Sequence, residues 1–206
     1  MRPWTARLLA FLVSLTAFGA FAWYAFEADP SVVLTLELDR KTAGPSTAQV
    51  YWSRRGPMRE EESFRFDTHP GVGTYTVSVP VDLRALRIDP LETPGVVHVW
   101  RIVLQTHGVP IKQWGGKSGF VGWTAVNELV AFEVRNGVLT MQSIGRDPWL
   151  EIRGLEDLRA ERRAINRWLS VAVATLCSGL HVGLTWFAFR AGGRPTRRVV
   201  VDAPDV

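Results

Sequence analysis

The stretch from Leu83 to Leu104, LRALRIDPLETPGVVHVWRIVL, decides the reading of the chain. In its first arm Leu86 and Ile88 alternate with Arg87, the period of two that puts apolar side chains on one face of a sheet. Asp89-Pro90 closes that arm, because proline withdraws a ladder donor and fixes φ. Thr93-Pro94-Gly95 then supplies turn residues before the next run. In the second arm Val97 and Val99 share one parity while Ile102 and Leu104 share the other. A bulge near Trp100 and Arg101 is expected to reconcile them. Strand, turn and strand, each arm with an apolar face, predict a mainly β domain.

The neighbouring segments follow the same grammar. Val32 to Leu38 alternates Val32, Leu34, Leu36 and Leu38 with Val33, Thr35 and Glu37, which reads as an edge-quality strand with one apolar face. Lys41 to Ser46, containing Gly44-Pro45, reads as a turn. Ala48 to Trp52 sets Val50 and Trp52 against Tyr51, and the mixed-charge segment Ser53 to Glu62 reads as a solvated loop. Ser63 to Thr68 alternates Phe64 and Phe66 with Arg65 and Asp67, and Thr74 to Val79 alternates again after His69-Pro70-Gly71. Val109 to Trp123 is a loop or a set of short irregular strands, and Thr124 to Arg135 reads equally as helix or strand. Val138 to Ser143, after Asn136-Gly137, and Trp149 to Ile152 are the last strands. Strand runs punctuated by Gly and Pro argue a sandwich or barrel, not βαβ units.

Two apolar runs bracket this region. Leu8 to Phe26 is 19 residues without a charge, about 28 Å as a helix, with Trp23 and Tyr24 near one end as an interfacial belt. A signal peptide cleaved after Ala20-Phe21-Ala22 is the rival reading, against which the apolar run continues through Phe26. Trp168 to Phe189 is the second, with His181 inside it. Gly154 is expected to open a helix carrying Glu156 and Asp157 in its first turn, where they complement the helix dipole. With no proline from Gly154 to Arg190, that helix should run into the second span and tie the domain rigidly to the membrane. The expected organisation is a cytoplasmic tail (1–7), a transmembrane helix (8–26), an extracytoplasmic domain (27–153), a juxtamembrane and transmembrane helix (154–190) and a cytoplasmic tail (191–206). The expected fold class is therefore a jelly-roll-like antiparallel β-sandwich flanked by two transmembrane α-helices.

Charge placement narrows the partners. The chain carries a formal net charge of +4, but from Glu27 to Arg167 there are 18 Lys and Arg against 18 Asp and Glu. The basic excess sits in the tails, at Arg2, Arg7, Arg190, Arg194, Arg197 and Arg198. A nucleic-acid ligand, which needs cations concentrated on the folded domain, is not expected. Arginines at the distal ends of both spans fit the positive-inside rule for an N-in, C-in protein of the bacterial inner membrane. Arg159, Arg162, Arg163 and Arg167 lie on the other side and are placed to meet anionic lipid head groups. The single cysteine, Cys177, excludes an intrachain disulfide and a multi-cysteine metal site, and reads as a small buried hydrophobe.

The segments VYWSRRGPMREEESFRFD, VPVDLRALRIDPLETPGVVHVWRIVL and DPWLEI, taken together, resemble the extracytoplasmic β-sandwich carried by bacterial multi-pass membrane proteins of cell-surface polysaccharide assembly. The likeness covers roughly residues 48 to 152 and rests on five features. These are an early aromatic strand, the serine-containing Phe strand, the L-R-x-D-P corner at Leu86 to Pro90, the G-x-V-x-V strand at Gly95 to Val99, and D-P-x-L at Asp147 to Leu150. Those relatives continue into many membrane helices, whereas this sequence has one further span. The resemblance thus implies an accessory part without the catalytic one.

Candidate site residues are few. Gly116-Lys117-Ser118 is not a phosphate loop, because Ile111 stands where that motif requires glycine. Trp114, Lys117, Phe120 and Trp123 form the candidate saccharide platform, since aromatic faces pack on sugar C–H groups and the interleaved glycines allow close approach. The competing reading has Trp114 and Trp123 covering an open sheet edge. Exposed, coplanar rings favour the platform and buried rings the cover. Arg87 and Asp89 read as a local ion pair or an Asx-type turn. His69, His98 and His107 lack a ligand spacing and read as structural, and Glu60-Glu61-Glu62 reads as a solvated face. No metal, cofactor or catalytic set is expected. Gly179, His181 and Gly183 are the candidate helix-contact residues, toward the first helix or another membrane protein. The expected function is a non-catalytic accessory subunit, saccharide-recognising, of an envelope polysaccharide system. The alternative is a structural subunit of another membrane complex that caps a partner and binds no sugar.

Overall fold

The computed structural model describes residues 3–28, 31–145 and 147–192, which fall into a helical unit and a β unit. The tail arginines Arg2, Arg194, Arg197 and Arg198 lie outside the described residues.

The β unit has eleven strands: β1 (Ser31–Arg40), β2 (Ser46–Ser53), β3 (Ser63–Thr68), β4 (Gly71–Pro80), β5 (Ala85–Asp89), β6 (Gly95–Thr106), β7 (Val109–Gly115), β8 (Thr124–Val126), β9 (Leu129–Arg135), β10 (Val138–Ser143) and β11 (Trp149–Arg153). They form two antiparallel sheets. The first runs β4-β1-β6-β10-β9, with β7 also paired to β6, and the second runs β3-β2-β5-β11-β8. The two orders march in step, so that each strand's counterpart in the other sheet is its sequence neighbour. The arms of the Leu83–Leu104 stretch therefore part company, β5 joining the second sheet and β6 the first.

Side-chain parity explains the core. Val32, Leu34, Leu36 and Leu38 of β1 are all buried, and they share one cluster with Ile102 and Leu104 of the first sheet and Val50, Leu86, Ile88 and Leu150 of the second. Each such side chain contributes about 1.5–3 kcal/mol relative to exposure. β1 lies between β4 and β6, so it is a central strand and not an edge. The bulge falls where parity requires it: Glu37 faces Arg101 and Leu38 faces Val99, leaving Trp100 without a partner on β1. That extra residue is what lets Val97, Val99, Ile102 and Leu104 all point inward.

Three sequence readings are corrected or resolved. Val109 to Gly115 is a strand with an irregular pairing, its register shifting between Leu104 and Gln105 of β6, because the His107-Gly108 turn, with φ of 49° and 77°, folds it back on that strand. Thr124 to Arg135 is two strands, β8 and β9, broken by Asn127 and Glu128 at positive φ. The second helix starts later than Gly154. The Leu155 amide donates to the Arg84 carbonyl at 3.1 Å and the Leu158 amide to the Leu155 carbonyl at 3.2 Å, which holds Glu156 and Asp157 in a turn ahead of it. Leu155 and Leu158 then enter the core.

The helical unit contains α1 (Pro3–Glu27) and, from Asn166 onward, α2 (Leu158–Gly192). Both are long and apolar enough to cross a membrane. They pack through small and polar residues four apart on α2, Asn166, Ser170, Ala174 and Ser178, all buried. Gly19 of α1 lies against Ala174, where an added Cβ would sit 3.7 Å away. Asn166 Nδ2 donates to the Phe26 carbonyl at 3.1 Å and to Glu27 Oε1 at 2.9 Å, capping the apolar seam with a polar lock. Cys177 is half-buried, short of the fully buried hydrophobe expected.

Candidate functional site

The glycine-aromatic loop is folded inward. Trp114, Phe120 and Trp123 are 7%, 6% and 5% exposed, members of the core cluster. Trp114 lies opposite Ile102 on β6, whose parity is inward, and its ring meets Trp123 edge-on, centroids 5.4 Å apart at 84°. This is the covering arrangement; an exposed coplanar platform would need both rings outside. The close approach made possible by glycine is to the chain itself. Gly115, at φ of 104°, passes the β6 bulge where a Cβ would stand 2.2 Å from the Trp100 carbonyl oxygen. Lys117 alone of the four candidates is exposed, on a short 3-10 turn at Gly116–Ser118.

The helix-contact candidates do not face α1. Gly179, His181 and Gly183 are exposed, and no atom lies within 4 Å of a Cβ built on either glycine. The α1 seam uses Ser170, Ala174 and Ser178 instead, because a four-residue step tracks the side of α2 that α1 follows. Gly179 and Gly183 line an apolar groove with Ala172, Thr175, Leu176 and Leu180 on another face.

The polar chemistry collects on the outer face of the second sheet. β2, β5 and β11 are neighbours, and their outward positions place Tyr51 opposite Arg87 and Arg87 opposite Glu151. The Arg87 guanidinium lies 3.8 Å over the Trp149 ring centroid and 4.8 Å from that of Tyr51. Two carboxylates hold it there. Arg87 Nε donates to Asp89 Oδ1 at 2.6 Å, and Nη2 donates to Asp89 Oδ2 at 2.5 Å and to Asp147 Oδ1 at 2.8 Å. Around this centre Tyr51 OH donates to Glu60 Oε2 at 2.9 Å, Gln49 Nε2 donates to Glu60 Oε1 at 2.7 Å, and Arg65 Nη2 donates to Gln49 Oε1 at 2.9 Å. A bidentate, doubly stacked guanidinium is fixed in position by these contacts.

The electrostatics follow from burial. Loss of water pushes the Asp89 carboxyl up to about 6, against the lowering pull of its hydrogen bonds and charge attraction from Arg87. Burial lowers the affinity of Arg87 for its proton, yet the Asp89 hydrogen bond and charge outweigh it and the net direction is upward. Burial, reinforced by the hydrogen bond to Glu60, pushes the Tyr51 phenol up to about 12. Glu60 is held below the usual carboxylate range by the hydrogen bonds from Gln49 and Tyr51. The Arg87–Asp89 pairing is the local ion pair expected from sequence.

A groove of about 530 Å³ opens beside this centre, lined by Ser53, Arg84, Arg87, Trp149, Arg153 and Glu156 among others. Sequence reading passed over Tyr51, Trp149 and Arg84. The strand positions of Tyr51 and Trp149 were visible, Arg84 lies in the bend before β5, and the adjacency of β2, β5 and β11 was not visible. Among the described residues no group of three His, Cys, Asp or Glu is placed to hold a metal ion. No family model, curated protein or solved structure matches this chain.

Proposed function

We propose that the chain is a non-catalytic, membrane-anchored accessory subunit of a cell-envelope polysaccharide system. In this reading α1 and α2 span the bacterial inner membrane with both termini cytoplasmic, and the two sheets form an extracytoplasmic, jelly-roll-like β-sandwich. The observation that supports it most is the pre-arranged centre of Tyr51, Arg87 and Trp149 on an outward sheet face, beside an open groove. The resemblance over residues 48–152 supplies the glycan context.

A second reading is favoured by a different observation. Burial of Trp114, Phe120 and Trp123 gives the glycine-aromatic loop the covering role, which suits a structural subunit of another membrane complex that binds no sugar. The exposed small-residue face of α2 at Gly179 and Gly183 suits a partner helix under either reading.

A mild-detergent pull-down of the tagged full-length chain, with mass spectrometry of what co-purifies, separates the two. A polymerase, flippase or glycosyltransferase in stoichiometric amount supports the first reading. A stoichiometric complex free of glycan enzymes sinks it and leaves the structural subunit.

A further inference from the structure

We propose that the groove beside Arg87 binds an uncharged, hydroxyl-rich saccharide, with Trp149 as its apolar wall and Arg84 and Glu156 as its free polar handles. This rests on the accessory-subunit reading and names the ligand class that the reading leaves open.

The chemistry of the lining selects the ligand. Within the described residues, neither the Arg84 guanidinium nor the Glu156 carboxylate has a side-chain partner, and both residues are exposed at the groove. Arg153 is paired to Glu151, and Arg87 is spent on Asp89 and Asp147. Arg84 and Glu156 offset each other, Arg153 is offset by Glu151, and Arg87 faces two carboxylates, so the groove and its rim carry about one negative charge, which repels a phosphate or a polyanion. A sugar has what the pair can use: vicinal hydroxyls that accept from a guanidinium fork and donate to a carboxylate. Its C–H face is matched by the indole of Trp149, which is half-buried and held by Arg87. Ser53, whose hydroxyl donates to the Gly56 carbonyl at 2.6 Å, fixes the loop whose Gly56, Pro57 and Met58 also line the groove. The volume lies within the roughly 300–1,000 Å³ of small-ligand sites. The lining is too polar for an acyl chain or an apolar peptide anchor.

The test uses the full-length chain in mild detergent, applied to immobilised short neutral oligosaccharides of hexose and N-acetylhexosamine, with acidic glycans alongside. Wild type is expected to bind one or more neutral members. Arg84→Gln, which breaks no contact within the described residues, is expected to weaken binding about threefold to tenfold. Trp149→Ala is expected to weaken it more than about tenfold. Lys117→Ala, at the glycine-aromatic loop, is expected to leave it unchanged. A melting profile of each variant confirms that it is folded. Binding of acidic glycans alone, unaltered binding in Arg84→Gln, or loss in Lys117→Ala would each overturn the assignment. Failure is separable from that of the broader reading: co-purification with glycan-assembly proteins but no oligosaccharide bound removes the groove and keeps the subunit.

Discussion

Two regions of the β unit carry tryptophan beside a basic residue, and the fold treats them oppositely. Trp114 and Trp123, with Lys117 between them, are packed into the core, whereas Trp149, beneath Arg87, stays at an open groove. Composition does not separate them, and the glycine-aromatic loop is the richer in aromatic residues. Strand parity and neighbour identity do. Trp114 shares its side of β7 with the inward row of β6, while Trp149 precedes Leu150, which takes the inward place on β11. A tryptophan in a strand is a core residue or a surface one by a shift of a single position.

This contrast can be broken by substitution, most severely at the buried pair. Trp123→Ala should lose about 3–5 kcal/mol, measured by denaturant unfolding in mild detergent, while Trp149→Ala should lose far less. Equal losses would erase the distinction between cover and surface. Gly115→Ala comes next. A Cβ there combines positive φ with backbone contact to Trp100, and should cost about 3 kcal/mol and expose the Trp114 ring to quenchers.

The outer face is sharpened by its pH dependence. Because the folded Asp89 carboxyl titrates near 6 and an unfolded aspartate near 3.9, the native state holds the extra proton between those values. Stability from this group is fully present below about pH 4 and is lost as pH rises through about 6, an effect on the order of 3 kcal/mol. Asp89→Asn should flatten the slope of melting temperature against pH in that window, and an unchanged slope would remove Asp89 as its source. The smallest effect belongs to Arg84→Gln, which should change stability by less than about 0.5 kcal/mol. Any loss of saccharide binding in that variant then reports the groove and not the fold.

Much of the fold was legible because it depends on local periodicity. The alternation at Leu86, Arg87 and Ile88, the parity change across Trp100, and the Asn136-Gly137 turn at φ of 52° and 76° each have a cause within a few residues. The edge assignment of Val32 to Leu38 failed for the opposite reason. Its outward row, Val33, Thr35 and Glu37, is polar enough for an edge, yet β4 and β6 flank it, and nothing within the segment names them. The choice of residues facing α1 was hidden for a similar reason. Gly179 and Gly183 have the spacing for close packing, but the seam follows the buried Ser170, Ala174 and Ser178, with Ala174 against Gly19 of α1.

The sequence by itself determined the apolar helices, the strand faces, the bulge and the pairing of Arg87 with Asp89, because sterics, hydrophobic period and short-range charge act between residues close in the chain. Only the tertiary structure decided that β5 and β6 separate into different sheets, that Trp114, Phe120 and Trp123 are core, and that Tyr51, Arg87 and Trp149 meet. Those outcomes depend on contacts that reach from Trp114 with Ile102 and Trp123, about ten positions apart, to Tyr51 with Arg87 and Arg87 with Trp149, about 36 and 62 apart. Such contacts are selected by the packing of the whole β unit, which no single segment encodes.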